Sequence, residues 1–293
     1  MKPAVSIFLS LCLLFTARAA DSELELVKKI LRSPPRVSSD GSMQGHVPDL
    51  KPLGDRAIPL LASLITDPTL GDDAADTMLK IDPIKAAPIV FASMPRSSRN
   101  VQKDTFDDFL GWFYEGKNVP FKKEMHDAAI RCIEADSPAD VQESALYSLG
   151  FTGDASDFPF LEHVYDKSDP DGQLRNAAES ALARLGNEEH LANIEAELAK
   201  PIPVPMTLEC AGELCNIMDE AGFTQNKRFI PILCRHLDDP MPNVPFTDVT
   251  LPDPNDDAVV ALDEIIGQIP LDQHYTVEDR VKWWKENRSR FAK

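Results

Sequence analysis

Asp253, Asn255 and Asp257 stand at the first, third and fifth places of a calcium-loop spacing, and Glu264 falls at the twelfth. Hard cations take such an oxygen set, but the wrap around the ion needs a glycine at the sixth place. Ala258 stands there, and it begins an apolar stripe of helical period. The string therefore predicts N-terminal helix caps rather than a metal site. The six histidines are His46, His126, His163, His190, His236 and His274. None has H-x-x-x-H spacing to another, and none makes a ligand motif with a cysteine, so a zinc site has no support. No G-x-S-x-G, P-loop or dinucleotide fingerprint occurs. With 48 acidic residues in the chain, carboxylate pairs mark solvated helix faces more than acid–base chemistry. The expectation is no catalytic residue, no metal and no cofactor.

What remains are residues suited to binding. Between Pro95 and Lys123 lies an aromatic stretch: Phe106, Phe109, Trp112, Phe113 and Tyr114. Phe106, Phe109 and Phe113 share one helical face and read as core. Trp112 and Tyr114 fall away from that face, and an exposed tryptophan is a binding anchor. A second candidate is the Pro-rich stretch from Asp238 to Asp257, where a helical repeat would turn much sooner. There Phe246, flanked by Asp248 and Asp253, offers an apolar contact in an acidic rim. Its alternative is a stiff, solvated excursion.

The first twenty residues read as an address. Lys2 precedes a short apolar run from Val5 to Phe15, and Ala17-Arg18-Ala19 is a cleavage site of A-x-A type. The run is too short to span a membrane, and no second apolar stretch approaches the ~20 residues a span needs. The expected location is extracytoplasmic, periplasmic or secreted, after cleavage near Ala19/Ala20. Without Lys2 and Arg18 the 30 basic residues fall to 28 against 48 acidic, a net charge of −20. Such a chain repels a nucleic acid backbone, and its charge keeps an exported protein soluble. Beyond Cys12 of the leader, Cys132, Cys210, Cys215 and Cys234 remain. Four cysteines in a chain of this size are no disulfide framework, and buried free thiols are expected. A Cys215–Cys234 pairing across neighbouring helices stays open.

The elements behind these residues repeat. Ile58-Pro59-Leu60-Leu61 with Asp67-Pro68 returns as Ile230-Pro231-Ile232-Leu233 with Asp239-Pro240. Phe158-Pro159-Phe160-Leu161 with Asp169-Pro170 is a looser copy, and Ala87-Pro88-Ile89-Val90 a fainter one. Proline is tolerated in a first helical turn, where its missing N–H costs no bond. The second helix of each unit also recurs. Ser144-Ala145-Leu146 through Leu149-Gly150 matches Ser180-Ala181-Leu182 through Leu185-Gly186 at a step of 36 residues. The glycines read as C-terminal stops. Asp257 to Gly267 carries the same stripe, and Ala74, Ala75, Met78 and Leu79 a weaker one.

On these I-P-x-L openings, D-P turns and S-A-L-x-x-L-G closings the chain resembles the HEAT-repeat family, in a short bacterial form similar to phycobilisome-lyase-type repeats. The resemblance spans residues 53–267, about six helix pairs. It implies an all-α, right-handed α-solenoid of antiparallel helix pairs with a concave, protein-binding face. Domains follow: a signal peptide at 1–20, a cap helix and Pro/Ser/Gly-rich linker at 21–52, the solenoid at 53–267, and a capping helix at 268–293. End repeats need such covers because each pair buries its stripe on a neighbour. Thr276 is the expected N-cap of the last helix, which holds Trp283 and Trp284; one of these packs and the other lies at the rim.

The expected function is a non-catalytic, exported scaffold that holds a protein or peptide partner through its groove and the inserted acidic loop. The partner-binding candidates are Trp112, Tyr114, Phe246, Asp248 and Asp253. No nucleic acid and no transmembrane segment are expected. The basic C-terminal helix suggests weak surface contact. The alternatives are a regulatory subunit of an exported enzyme or a lyase-type enzyme.

Overall fold

The structure is a computed structural model and describes residues 21–37, 43–170, 172–203, 205–239, 253–267 and 276–291. The leader, Phe246 and Asp248 lie outside the described residues. The fold is all-α, and no described helix is long and apolar enough to cross a membrane. The described residues divide into two compact units, one up to residue 145 and one from residue 146.

The first unit opens with helix α1 at residues 21–31. Its Val27 and Leu31 are buried with Leu50, Leu61, Ile65 and Met78. Within the Pro/Ser/Gly-rich linker that follows, Arg36–Val37 pairs antiparallel with Met43–Gly45, and helix α2, Val47–Leu50, comes next. Arg36 Nε donates to Asp49 Oδ2 at 2.9 Å and closes the turn. Helices α3 (Ala57–Ala62), α4 (Gly71–Ile81), α5 (Pro83–Ser93), α6 (Arg99–Tyr114) and α7 (Lys122–Glu134) complete the unit. Helix α8, Ala139–Thr152, contains the division.

Pro59 lies in the first turn of α3, as its position in the repeat predicts. Asp67 fixes the turn after it by accepting from Thr69 N and Leu70 N at 2.9 and 3.1 Å. The fourth copy of the phrase behaves differently. Ala87-Pro88 lies inside α5 and opens nothing. Asp82-Pro83 opens that helix, with Asp82 accepting from Lys85 N at 3.1 Å. Pro88 deprives the Ile84 carbonyl of its helical donor, and Ile84 lies in the first turn of α5 and is exposed.

The second unit holds α9 (Phe158–Lys167), α10 (Gln173–Arg184), α11 (Glu188–Leu198), α12 (Leu208–Thr224), α13 (Ile230–His236), α14 (Pro254–Ile266) and α15 (Val277–Asn287). Consecutive helices pack from α9 to α12, and α14 packs on α12, α13 and α15. Pro159 and Pro231 sit in the first turns of α9 and α13. One core runs through this unit from Leu191 and Ile194 to Met218, Leu233, Leu262 and Trp284.

Two glycines at matching repeat positions differ. Gly186 has φ +92° and ends α10, with Asn187 N donating to Leu182 O at 3.0 Å. This is the left-handed stop that glycine permits. Gly150 is no stop: α8 runs on to Thr152. A Cβ on Gly150 would lie 2.8 Å from Phe223 Cζ, so what glycine supplies here is room for a ring. Phe223 in turn meets Tyr147 and Phe151 edge-on, with centroids at 4.9 and 5.3 Å.

At the C-terminal end Thr276 caps α15 in a capping box with Asp279. Trp284 is fully buried, and Trp283 is partly buried against Phe291. Cys132, Cys215 and Cys234 are buried free thiols, and Cys210 is free and half-buried.

Candidate functional site

Ser98 starts α6 by accepting from Val101 N at 3.2 Å. Phe106 and Phe109 then point inward and meet Phe91, with ring centroids 5.9 and 5.6 Å away. Phe121 closes the cluster 4.6 Å from Phe109. Trp112 stands one turn further along α6. Its ring meets Phe109 edge-on at 5.1 Å and Phe121 at 6.4 Å, and it stays half-exposed. The phenylalanines thus pack against the indole, which stays partly accessible.

Helix α6 ends in a tight reversal. Gly116 has φ +67°. Gly116 N donates to Phe113 O at 3.0 Å, and Lys117 N donates to Trp112 O at 2.9 Å. The reversal folds Lys117 back over the last helical turn, with its Nζ 5.5 Å from the Trp112 ring centroid.

Trp112 lines a groove of about 590 Å³ built within the first unit. Asp76, Leu79 and Lys80 of α4 form one wall, with Pro83 at the edge. Asp107, Asp108, Phe109 and Trp112 of α6 form the other, and Glu115 and Lys117 close one end. Four carboxylates thus face two ammonium groups. Lys80 pairs with Asp76 at 2.8 Å, Lys103 with Asp107, and Lys117 with Glu115. Among the described residues no hydrogen bond or ion pair joins Asp108. Its side chain is exposed to solvent, with only partial burial from the neighbouring residues. That burial raises its pKa, as do the charges of Asp104, Asp76 and Asp107; Lys80 opposes them.

Of the residues the sequence singles out, Trp112 belongs to this groove. Tyr114 lies ~200° around the helix from Trp112; it is 44% exposed and lines no part of the groove. Asp253 belongs to the second unit. There it caps α14, accepting from Asn255 N at 2.9 Å, with Asp256 and Asp257 in the first turn. The sequence reading missed Asp76, Asp108 and Lys117. A signal existed for part of it. Asp104, Asp108, Trp112 and Glu115 follow one another at steps of four, four and three, one stripe on a helix.

The second unit holds titratable groups that are buried or partly buried. His190, of α11, is nearly buried between two carboxylates. Its Nδ1 lies 3.2 Å from Glu179 Oε1 of α10, and its Nε2 3.3 Å from Glu162 Oε2 of α9. Burial alone would lower its pKa, but hydrogen bonds and charge from Glu179 and Glu162 outweigh that and raise it. Glu220 is buried in α12, and burial, with Glu179, Asp219 and Glu197 nearby, pushes it up to about 8. Glu264 of α14 is pushed by burial, then by Asp219, to about 7.

A smaller cleft of about 180 Å³ lies where the chain passes from α11 into α12, lined by Met206, Cys210, Leu214 and Ile217 among others. Among the described residues no group of three or more His, Cys, Asp or Glu side chains is placed to hold a metal ion. No protein-family model, no curated protein and no solved structure matches the chain, so the resemblance to HEAT repeats rests on the residues quoted for it.

Proposed function

We propose that this chain is an exported, non-catalytic scaffold that holds a protein or peptide partner, with the Trp112 groove as a contact site. One observation carries the reading. Trp112 is fixed from behind by Phe109 and Phe121 yet leaves part of its ring open to a groove of about 590 Å³. A rigid, half-exposed indole offers contact area at little entropic cost, which is what a binding anchor needs. The stacked helices and the repeated openings support a scaffold in the manner of HEAT repeats. The export reading rests on residues 1–20, with their short apolar run and A-x-A site.

The test is a crosslinking capture from the extracytoplasmic fraction with residues 20–293 and a photoreactive residue in place of Glu115. Capture of one protein, lost in Trp112→Ala at a similar melting temperature, supports the reading. Equal capture by both forms removes Trp112 from the contact. A large fall in melting temperature would assign the tryptophan to the core instead.

A further inference from the structure

We propose that the Trp112 groove is built to take the cationic side chain of a basic peptide segment, and that Lys117 occupies that seat in the free protein. This deepens the scaffold reading and rests on it.

The first support is the seat itself. An indole face attracts a cation placed within about 6 Å of its centroid. Lys117 Nζ stands at 5.5 Å from the ring centroid and also pairs with Glu115, both side chains being exposed. An ammonium group thus reaches this ring and this carboxylate at once. Lys117 also sits on a short reversal rather than within a helix, so releasing it breaks one exposed ion pair and no helical hydrogen bond of its own side chain.

Charge is the second support. With Lys117 seated, the lining still carries four carboxylates against two lysines. Asp76 and Asp107 already have lysine partners, and Asp108 has none among the described residues. An incoming guanidinium that replaced Lys117 would keep the contact with Trp112 and lie in a wall where one carboxylate remains unpaired. A neutral or anionic side chain would gain neither. Of the cationic side chains, arginine has the stronger claim, because its planar fork stacks on indole and pairs with a carboxylate at the same time.

The third support is shape. The groove is open along α4 and α6 and far larger than one side chain. The cation is therefore expected as part of a peptide whose backbone runs along the groove.

The experiment is an NMR titration of residues 20–293 with the pentapeptide Ala-Ala-Arg-Ala-Ala and its citrulline counterpart, capped at both ends. Citrulline keeps the shape and loses the charge. The readout is the indole N–H signal of Trp112, assigned with Trp112→Phe. The expected result is a saturable shift with the arginine peptide and about tenfold weaker binding of citrulline. Lys117→Ala, which empties the seat, should tighten the arginine peptide about threefold or more, and Asp108→Asn should weaken it. Equal shifts with both peptides, or no shift with either, would overturn the proposal. So would unchanged or weaker binding in Lys117→Ala at an unchanged melting temperature. If Trp112→Ala still abolishes capture of the partner while arginine shifts nothing, the scaffold reading stands and this inference alone falls.

Discussion

Trp284 Nε1 donates to Asp263 Oδ1 at 2.8 Å, so a fully buried indole on α15 is bonded to a carboxylate on α14. Arg280 Nε donates to the other oxygen of Asp263 at 2.7 Å. The last helix is held by a large apolar ring whose polar atom is satisfied, as a buried indole requires. Trp284→Ala should cost about 3–5 kcal/mol. Trp284→Phe should lose less, since the ring remains and Arg280 still pairs with Asp263. Urea unfolding checks both; a Trp284→Ala midpoint close to wild type would mean that α15 is no cover at all.

Gly150 and Gly186 should respond differently to alanine. At Gly150 a helix former replaces glycine inside a helix, which alone would stabilise by about 1 kcal/mol. The new methyl would meet Phe223, wedged between Tyr147 and Phe151. Overpacking of that kind costs about 1–3 kcal/mol, so a net loss is expected, and Phe223→Leu should recover part of it. Gly186→Ala should lose about 1–2 kcal/mol through its positive φ, with no rescue from Phe223→Leu. Melting curves of these single and double variants beside wild type decide the matter.

Glu220 gives a pH dependence. Its folded pKa of about 8 lies above the 4.5 of an ordinary glutamate. The folded state therefore holds its proton more tightly than the unfolded chain. Wild-type stability falls as pH rises from 4.5 towards 8 on account of this group. Glu220→Gln removes the liability and should stabilise by about 1–3 kcal/mol at pH 9, with the gain vanishing below pH 4.5. A gain independent of pH would show that the carboxyl is not buried as described.

His190 acts in the same direction of pH, but its substitution costs stability instead of adding it. Its pKa is raised above 6.5 by Glu179 and Glu162 against the pull of burial. Its contribution is complete below pH 6.5 and fades as pH passes the folded value. His190→Gln should cost about 1–2 kcal/mol at pH 6 and less at pH 9. Denaturant midpoints at the two values test it, and a cost that grows with pH would refute the assignment.

Where sequence reading succeeded, the signal was local. Proline in a first turn, Thr276 three residues before Asp279, and the stripe of Ala258, Val259, Leu262 and Ile265 each follow from short-range rules. Asp253 is a cap because Ala258 bars an ion loop and belongs to α14. It failed where one letter serves two purposes. Pro88 lies within a helix because Asp82 already supplies the cap. Gly150 is spaced by a ring 73 residues away, and no local pattern reports that. The groove was half legible. Trp112 stood out by type, but Asp76 reaches it from α4 and Lys117 through a left-handed glycine, both products of tertiary geometry.

The unlike pair of glycines bears on any attempt to engineer this chain by consensus. Averaging the stretches around 144–150 and 180–186 would score their glycines as equivalent and transplant either segment freely. Gly186 accepts whatever residue tolerates its backbone angle. Gly150 answers to Phe223, and through it to Tyr147 and Phe151. A shuffled repeat would keep its local grammar and lose its neighbour, so the units of this protein are not interchangeable parts.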